Sequence, residues 1–170
     1  MDKNLALCNP SSSFPQGSDG GLLVPLTKGK FAIVDGDMFD YLNQWKWTFE
    51  KRYAVRKVNK KAIYMHRLIA EAKEGFEIDH INGDSLDNRI SNLRSCTHAQ
   101  NCKNTKIQTN NTSGFKGVSF NKGKKKWKAY INLDRVQKFL GYHQDIKVAA
   151  QAYNRAAREY FGEFARINTL

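Results

Sequence analysis

Residues 103–113 (Lys-Asn-Thr-Lys-Ile-Gln-Thr-Asn-Asn-Thr-Ser) hold a single apolar side chain, Ile107, and no periodicity of either helical or strand type. A stretch of this kind has nothing to bury, so it reads as a linker and divides the 170 residues into two pieces. Each piece can support only a small core, and each must therefore be built from short, efficiently packed elements. The expected fold class is α+β, in two small domains. The boundaries read as a leader at 1–20, a first domain at 21–103, a linker at 104–112 and a second domain at 113–170.

The leader is rich in Ser, Gly and Pro and is expected to be disordered. From Leu22 the pattern becomes short strands, Leu22–Leu26 and Phe31–Val34, turned by Lys28-Gly29-Lys30. A short helix is expected over Asp37–Gln44, capped by Asp35 or Asp37, with Met38, Tyr41 and Leu42 at helical spacing. Trp45–Phe49 and Tyr53–Val58 alternate as a hairpin, and Ala62–Met65 leads into a helix over His66–Ala72. Phe76–His80 and Leu93–Cys96 read as an outgoing and a returning strand around a long polar loop. Thr97 with Gln100 three residues later forms a capping box, which starts a short helix carrying Asn101.

In the second domain Phe115–Phe120, Lys126–Leu133 and Val136–Leu140 are expected to form a three-stranded sheet, followed by a helix over Ile146–Phe161 with Asp145 as its cap. On that helix Ala149, Ala152, Tyr153, Ala156, Ala157 and Tyr160 repeat as one apolar face, whose alanines imply close helix-to-sheet packing. Strand alternation sends Trp127, Ala129, Ile131 and Leu133 to the covered face. Lys126, Lys128, Tyr130 and Asn132 then fall on the open one.

Charge follows the same division. The formal net charge is +12, and residues 111–170 supply +8 of it from 12 Lys and Arg against 4 Asp and Glu. Such a density suits the neutralisation of phosphates and makes nucleic acid the leading partner class. Three cysteines, Cys8, Cys96 and Cys102, make neither an even disulfide framework nor a CxxC zinc pair, so a reducing, cytoplasmic setting is expected. No apolar run approaches the ~18 residues of a membrane span, and the N-terminus shows no signal-peptide pattern. No obligate protein partner is expected.

The chemistry concentrates at Ile78-Asp79-His80-Ile81-Asn82-Gly83-Asp84, with Asp87-Asn88-Arg89, Asn92-Leu93 and Thr97-His98-Ala99-Gln100-Asn101 following. Hydrolysis of a phosphodiester needs an activated water, a counter-charge for the pentacoordinate phosphate and assistance to the departing oxygen. One base and one divalent cation can supply all three. His80 is the candidate base, since a neutral imidazole accepts a proton around neutral pH. Asp79, adjacent along the strand, points to the opposite side and is available to a cation, and Asn101 adds a carboxamide oxygen. Hard oxygen donors of this kind suit Mg²⁺ or Mn²⁺ better than Zn²⁺. Asn92 could fix the tautomer of His80 or hold its backbone. Asn82, Asp84, Asp87 and Asn88 read as loop-shaping residues. His66 reads as a packed helix-end residue, while His98 is balanced between a supporting role at the site and plain solvent exposure.

Together with Met65-His66-Arg67-Leu68-Ile69-Ala70, these motifs resemble the HNH endonucleases, in the form common to phage and intron homing enzymes, over about residues 60–105. The resemblance implies a ββα-metal finger in which His80 is the general base, Asp79 and Asn101 hold the metal and Asn92 orients the histidine. Asn101 stands where many relatives carry His. In the second domain Phe115-Lys116-Gly117-Val118, Lys126–Ile131, Phe139-Leu140-Gly141-Tyr142, Ala149–Ala157 and Ala165-Arg166-Ile167-Asn168 resemble an AP2/ERF DNA-binding domain over about residues 113–168. That resemblance implies duplex-DNA contacts from Lys116, Ser119, Asn121, Tyr130, Asn132, Gln137 and Phe139, alongside Lys126 and Lys128 on the same face. Several positions usually Arg or Trp in that family are Ser, Asn, Gln or Phe here, so a preferred DNA sequence does not carry over. The combined expectation is a metal-dependent, site-directed DNA endonuclease of homing or mobile-element type. The rivals are a DNA-binding regulator with a vestigial nuclease fold and a nuclease acting on RNA or single strands.

Overall fold

A computed structural model describes residues 20–170, so all but the last residue of the expected leader lies outside the described residues. The described chain divides into two compact units, one formed by the chain up to Ile69 with Ser85–Asn92, the other by Ala70–Asp84 with Leu93–Leu170.

In the first unit β1 (Leu22–Pro25) and β2 (Phe31–Val34) pair antiparallel, Leu22 opposite Val34, and α1 (Gly36–Asn43) follows. Val24, Ala32, Val34, Phe39, Leu42, Trp47, Ala54 and Met65 form the buried core. Trp47 is buried with its indole N–H donating to the Leu42 carbonyl at 2.9 Å, so the ring is packed without leaving its polar atom unsatisfied. α1 turns Phe39 and Leu42 inward while Tyr41 is 46% exposed, a rotation from the expected face. Asp35 occupies the cap position, but its carboxylate accepts from the Ile90 N–H at 2.7 Å and not from α1.

A three-stranded antiparallel sheet of β3 (Thr48–Glu50), β4 (Tyr53–Val58) and β5 (Lys61–Tyr64) completes this unit. The third strand is one more than the sequence pattern indicates. Its turn, Asn59-Lys60, has φ of 49° and 64°, and a lysine at a left-handed position carries none of the Asn-Gly signature of a hairpin. The helix after it, α2 (Met65–Ile69), is accordingly shorter than expected. Residues 85–92 lie along β2, Ile33 N–H donating to Leu86 O and Asn88 N–H to Ile33 O, both at 2.8 Å.

The second unit contains the antiparallel pair β6 (Glu77–His80) and β7 (Leu93–Cys96), with Asp79 opposite Arg94 and His80 opposite Leu93. α3 (His98–Asn101) follows, and its capping box is complete: Thr97 accepts from the Gln100 N–H while Gln100 accepts from the Thr97 N–H. The remainder is a sheet of β8 (Val118–Asn121), β9 (Lys126–Leu133) and β10 (Val136–His143), with β9 central, packed on α4 (Ile146–Phe161). β8 begins three residues later than the pattern suggests, and β10 runs on past Leu140 by shifting register between Phe139 and Gly141.

Alanines 149, 150, 156 and 157 are buried against Val118, Ala129 and Ile131, which lets helix and sheet approach closely; Tyr160, placed on the same stripe, is 38% exposed. Gly117 sits at the tightest approach. A Cβ there would fall 2.1 Å from the Tyr153 ring and 2.5 Å from the Tyr130 carbonyl, and its φ is +71°. Near the chain end Asn168 exchanges hydrogen bonds with the backbone of Lys116 and with the side chain of Asn154, which ties 162–168 onto the sheet–helix unit.

Candidate functional site

Four residues of β6 carry two carboxylates and an imidazole. Strand alternation places Glu77 and Asp79 on one side and His80 on the other. Asp79 and His80 are both buried, each 6% exposed.

A carboxylate so enclosed is held by hydrogen bonds and an opposite charge. Arg94, directly across the β6–β7 pair, donates to Asp79 Oδ2 from Nε at 2.9 Å and from Nη2 at 2.6 Å. Asn104, just beyond α3 and itself buried, brings its amide nitrogen to 2.9 Å from Asp79 Oδ1 and to 2.9 Å from the His80 carbonyl. Asn104 thus touches both motif residues at once, and the sequence pattern does not single it out; its signal would have been a polar side chain three positions beyond Asn101 on the same helical trajectory.

Asn101 is placed differently. Its Nδ2 donates to Glu77 Oε2 at 2.6 Å, while His98 Nδ1 lies 2.8 Å from Glu77 Oε1. The His98 side chain is 81% exposed. Asn92 ends the loop before β7 and is buried, its Nδ2 donating to the Asp87 carbonyl at 2.8 Å. His66 is buried among aromatic rings, 5.0 Å from Tyr53 and 5.7 Å from Tyr64 between centroids, in keeping with a packing role. Loop-shaping by Asx residues is visible where Asn82 Oδ1 accepts from the Asp84 N–H at 2.7 Å and where Asp87 pairs with Arg89 at 2.7 Å.

Cys96, buried at the end of β7 opposite Glu77, has its thiol pushed up to about 11, first by burial and then by the charges of Asp79 and Glu77. It stays protonated and inert near neutral pH. Among the described residues no three His, Cys, Asp or Glu side chains group as a metal cage. Both Asp79 oxygens accept hydrogen bonds, from Arg94 and Asn104, and Asn101 is paired with Glu77.

The open face of the second sheet is assembled by register. Ser119 lies opposite Lys128, Asn121 opposite Lys126, Tyr130 opposite Phe139 and Asn132 opposite Gln137, so eight of the candidate DNA contacts form cross-strand pairs. Lys128 Nζ donates to Gln137 Oε1 at 2.7 Å and lies 5.4 Å from the Tyr130 ring centroid, while Phe139 is half exposed. Asn121 Oδ1 accepts from the Lys124 N–H, shaping the β8–β9 turn. Lys116 stands apart from the strands: its ammonium donates to the carbonyls of Lys103 at 3.0 Å and Thr105 at 2.8 Å. Burial, then the charge of Arg166, lowers it to about 8.

A family model described as HNH endonuclease matches residues 63–103, the span from β5 through α3. An uncharacterized HNH endonuclease of Acanthamoeba polyphaga mimivirus is 32% identical over 149 residues, covering 84% of this chain and 77% of that protein. The chain belongs to the HNH endonuclease family. This HNH enzyme is a DNA endonuclease, and β6, β7 and α3 are the part of it that the family model covers. It is also similar to Protein 3.8 of Escherichia phage T7, 36% identical over 94 residues, covering 55% of this chain and 77% of that protein. No solved structure matches the endonuclease. Its described fold is mixed α and β, built of small antiparallel sheets with few helices, and among the described residues no helix is long and apolar enough to cross a membrane.

Proposed function

We propose that the endonuclease cuts duplex DNA with one divalent cation, Mg²⁺ or Mn²⁺, at the β6–β7–α3 finger, and is directed to its site by the sheet of β8–β10. The observation that carries this reading is the pair Asp79-His80, buried together on β6, with the carboxylate fixed by Arg94 and Asn104. A buried, oriented carboxylate next to an imidazole supplies the two kinds of group that hydrolysis needs.

The donor set fits a hard cation. Asp79 supplies a carboxylate oxygen, and Asn101, whose amide nitrogen is committed to Glu77, has its carbonyl oxygen as its ligating end. These two residues would hold the cation, which supplies Lewis-acid stabilisation of charge on the scissile phosphate and the departing oxygen. His80 accepts a proton from the attacking water. The HNH resemblance assigns Asn92 the role of orienting the histidine. Asn104 keeps Asp79 and the His80 backbone in fixed relation.

The AP2-like reader occupies about residues 113–170, following a nuclease domain at 21–103 and a linker at 104–112. Its open face, from Ser119 to Phe139, presents lysines for phosphates and Asn, Gln and Tyr for base edges. A homing or mobile-element role follows from pairing a cleavage finger with such a reader.

Plasmid DNA incubated with Mg²⁺ or Mn²⁺ tests the assignment. Wild type is expected to nick or linearise the plasmid, and His80→Ala to lose about 10²–10⁴-fold in rate. Equal rates would remove His80 as the base.

A further inference from the structure

The carboxylate at the centre of the finger is held by an arginine that is itself held from elsewhere in the same unit. Arg94 uses Nε and Nη2 on Asp79, and its third nitrogen, Nη1, donates to the main-chain carbonyl of Glu163 at 2.5 Å. The Phe164 ring lies against the guanidinium, 4.1 Å from Cζ to centroid. Only 12% of the Arg94 side chain is exposed. A planar guanidinium with all three nitrogens engaged and one face covered has a single orientation, and it imposes that orientation on the carboxylate it grips.

Glu163 and Phe164 belong to the turn that ends α4, where Gly162 takes a φ of +53° and its carbonyl accepts from the Ala165 N–H. The same segment returns a second arginine to the finger. Arg166 Nη1 donates to the Asn82 carbonyl at 3.0 Å, in the turn where the Gly83 N–H donates to His80 O. Gly83 leaves the room for it, since a Cβ there would fall 2.4 Å from Arg166 Nη1. Arg94 reaches from β7 to the end of α4, and Arg166 reaches from beyond α4 to the end of β6.

We propose that Arg94 is a positioning residue for Asp79, and that Glu163 and Phe164, which close the reader's helix, are a structural part of the cleavage site. The inference rests on the reading of Asp79 as a cation ligand. Folding of the reader's C-terminal segment and readiness of the finger are then one event, because the carboxylate loses its fixed orientation when that segment is displaced.

The test uses full-length protein and two readouts: Mn²⁺ binding without DNA, followed by the paramagnetic resonance of the free ion, and plasmid cleavage resolved into kcat and KM. Arg94→Lys keeps the charge and removes the fork. It is expected to weaken Mn²⁺ binding and lower kcat about 10-fold or more with KM for DNA unchanged, the range typical of residues that orient a metal ligand. Phe164→Ala, which does not touch Asp79, is expected to move both readouts the same way, and Phe164→Tyr to restore them. Thermal melting of the Phe164 pair separates this effect from unfolding. Asp79→Asn tests the underlying reading: it is expected to abolish Mn²⁺ binding, and unchanged binding would overturn the ligand assignment and this proposal with it. If Asp79→Asn loses Mn²⁺ while Arg94→Lys and Phe164→Ala bind and cleave as wild type, or bind Mn²⁺ more tightly, the positioning role is overturned alone.

Discussion

Lys116 shows how main-chain carbonyls and burial change a basic residue. Its ammonium sits on two main-chain carbonyls and is lowered from 10.5 to about 8, chiefly by burial. The folded form therefore holds fewer protons than the unfolded form between those values, so this residue adds stability as pH rises from about 8 towards 10.5. Cys96 acts in the opposite sense from pH 9 to about 11, because its raised thiol pKa makes the folded form hold the proton longer. The interval from about 8 to 9 isolates the lysine. Over it the melting temperature of wild type is expected to rise relative to Lys116→Met, and a constant difference would show an ordinary ammonium. The two described cysteines should also part company: at about pH 8 iodoacetamide is expected to modify exposed Cys102 and spare Cys96, as read by peptide mass spectrometry.

At the scale of elements, α4 is specified at its start and at its closest contact. Asp145 Oδ1 accepts from the N–H groups of Lys147 at 2.6 Å and Val148 at 3.1 Å, so Asp145→Ala is expected to lower stability by about 1 kcal/mol in urea titration. Gly117→Ala is a harsher change. Its Cβ meets the Tyr153 ring and the Tyr130 backbone at a positive φ, and neither the central strand nor the packed helix can yield. Loss of cooperative melting of the sheet–helix unit is expected, and a wild-type melting curve would show that the helix is free to shift. Loops obey subtler rules: Lys51-Arg52, Asn59-Lys60 and Asp134-Arg135 all adopt positive φ in tight hairpins without a glycine. Strand β5 was hidden in the sequence for that reason.

For the whole molecule, charge is the property that reaches furthest. Of the net charge of +12, +8 lies in residues 111–170, and Lys126 and Lys128 stand on β9 within that stretch. Binding of the protein to duplex DNA, measured without divalent cations, is expected to weaken steeply with salt, and Lys128→Ala to reduce the slope of log K against log salt by about one. Salt-independent binding would count against phosphate contacts. Strands β6 and β7 belong to the same compact unit as β8–β10 and α4, so the division of contacts does not follow the order of motifs along the chain.

Local pattern alone specified β9 from Lys126 to Leu133, α4 from Ile146 to Phe161 and the Thr97 capping box, because periodicity and capping act within a few residues. The types and spacing of Asp79, His80, Asn92 and Asn101 mark them as candidates in the sequence. Their partners were not. Arg94 lies 15 residues from Asp79, Asn104 lies 25 from it, and Glu163 lies 69 from Arg94. A hydrogen bond across such separations exists only once strands have paired and the end of α4 has been placed. The tertiary structure therefore decided which groups hold the buried carboxylate, and the sequence by itself determined that a carboxylate and an imidazole would stand there together.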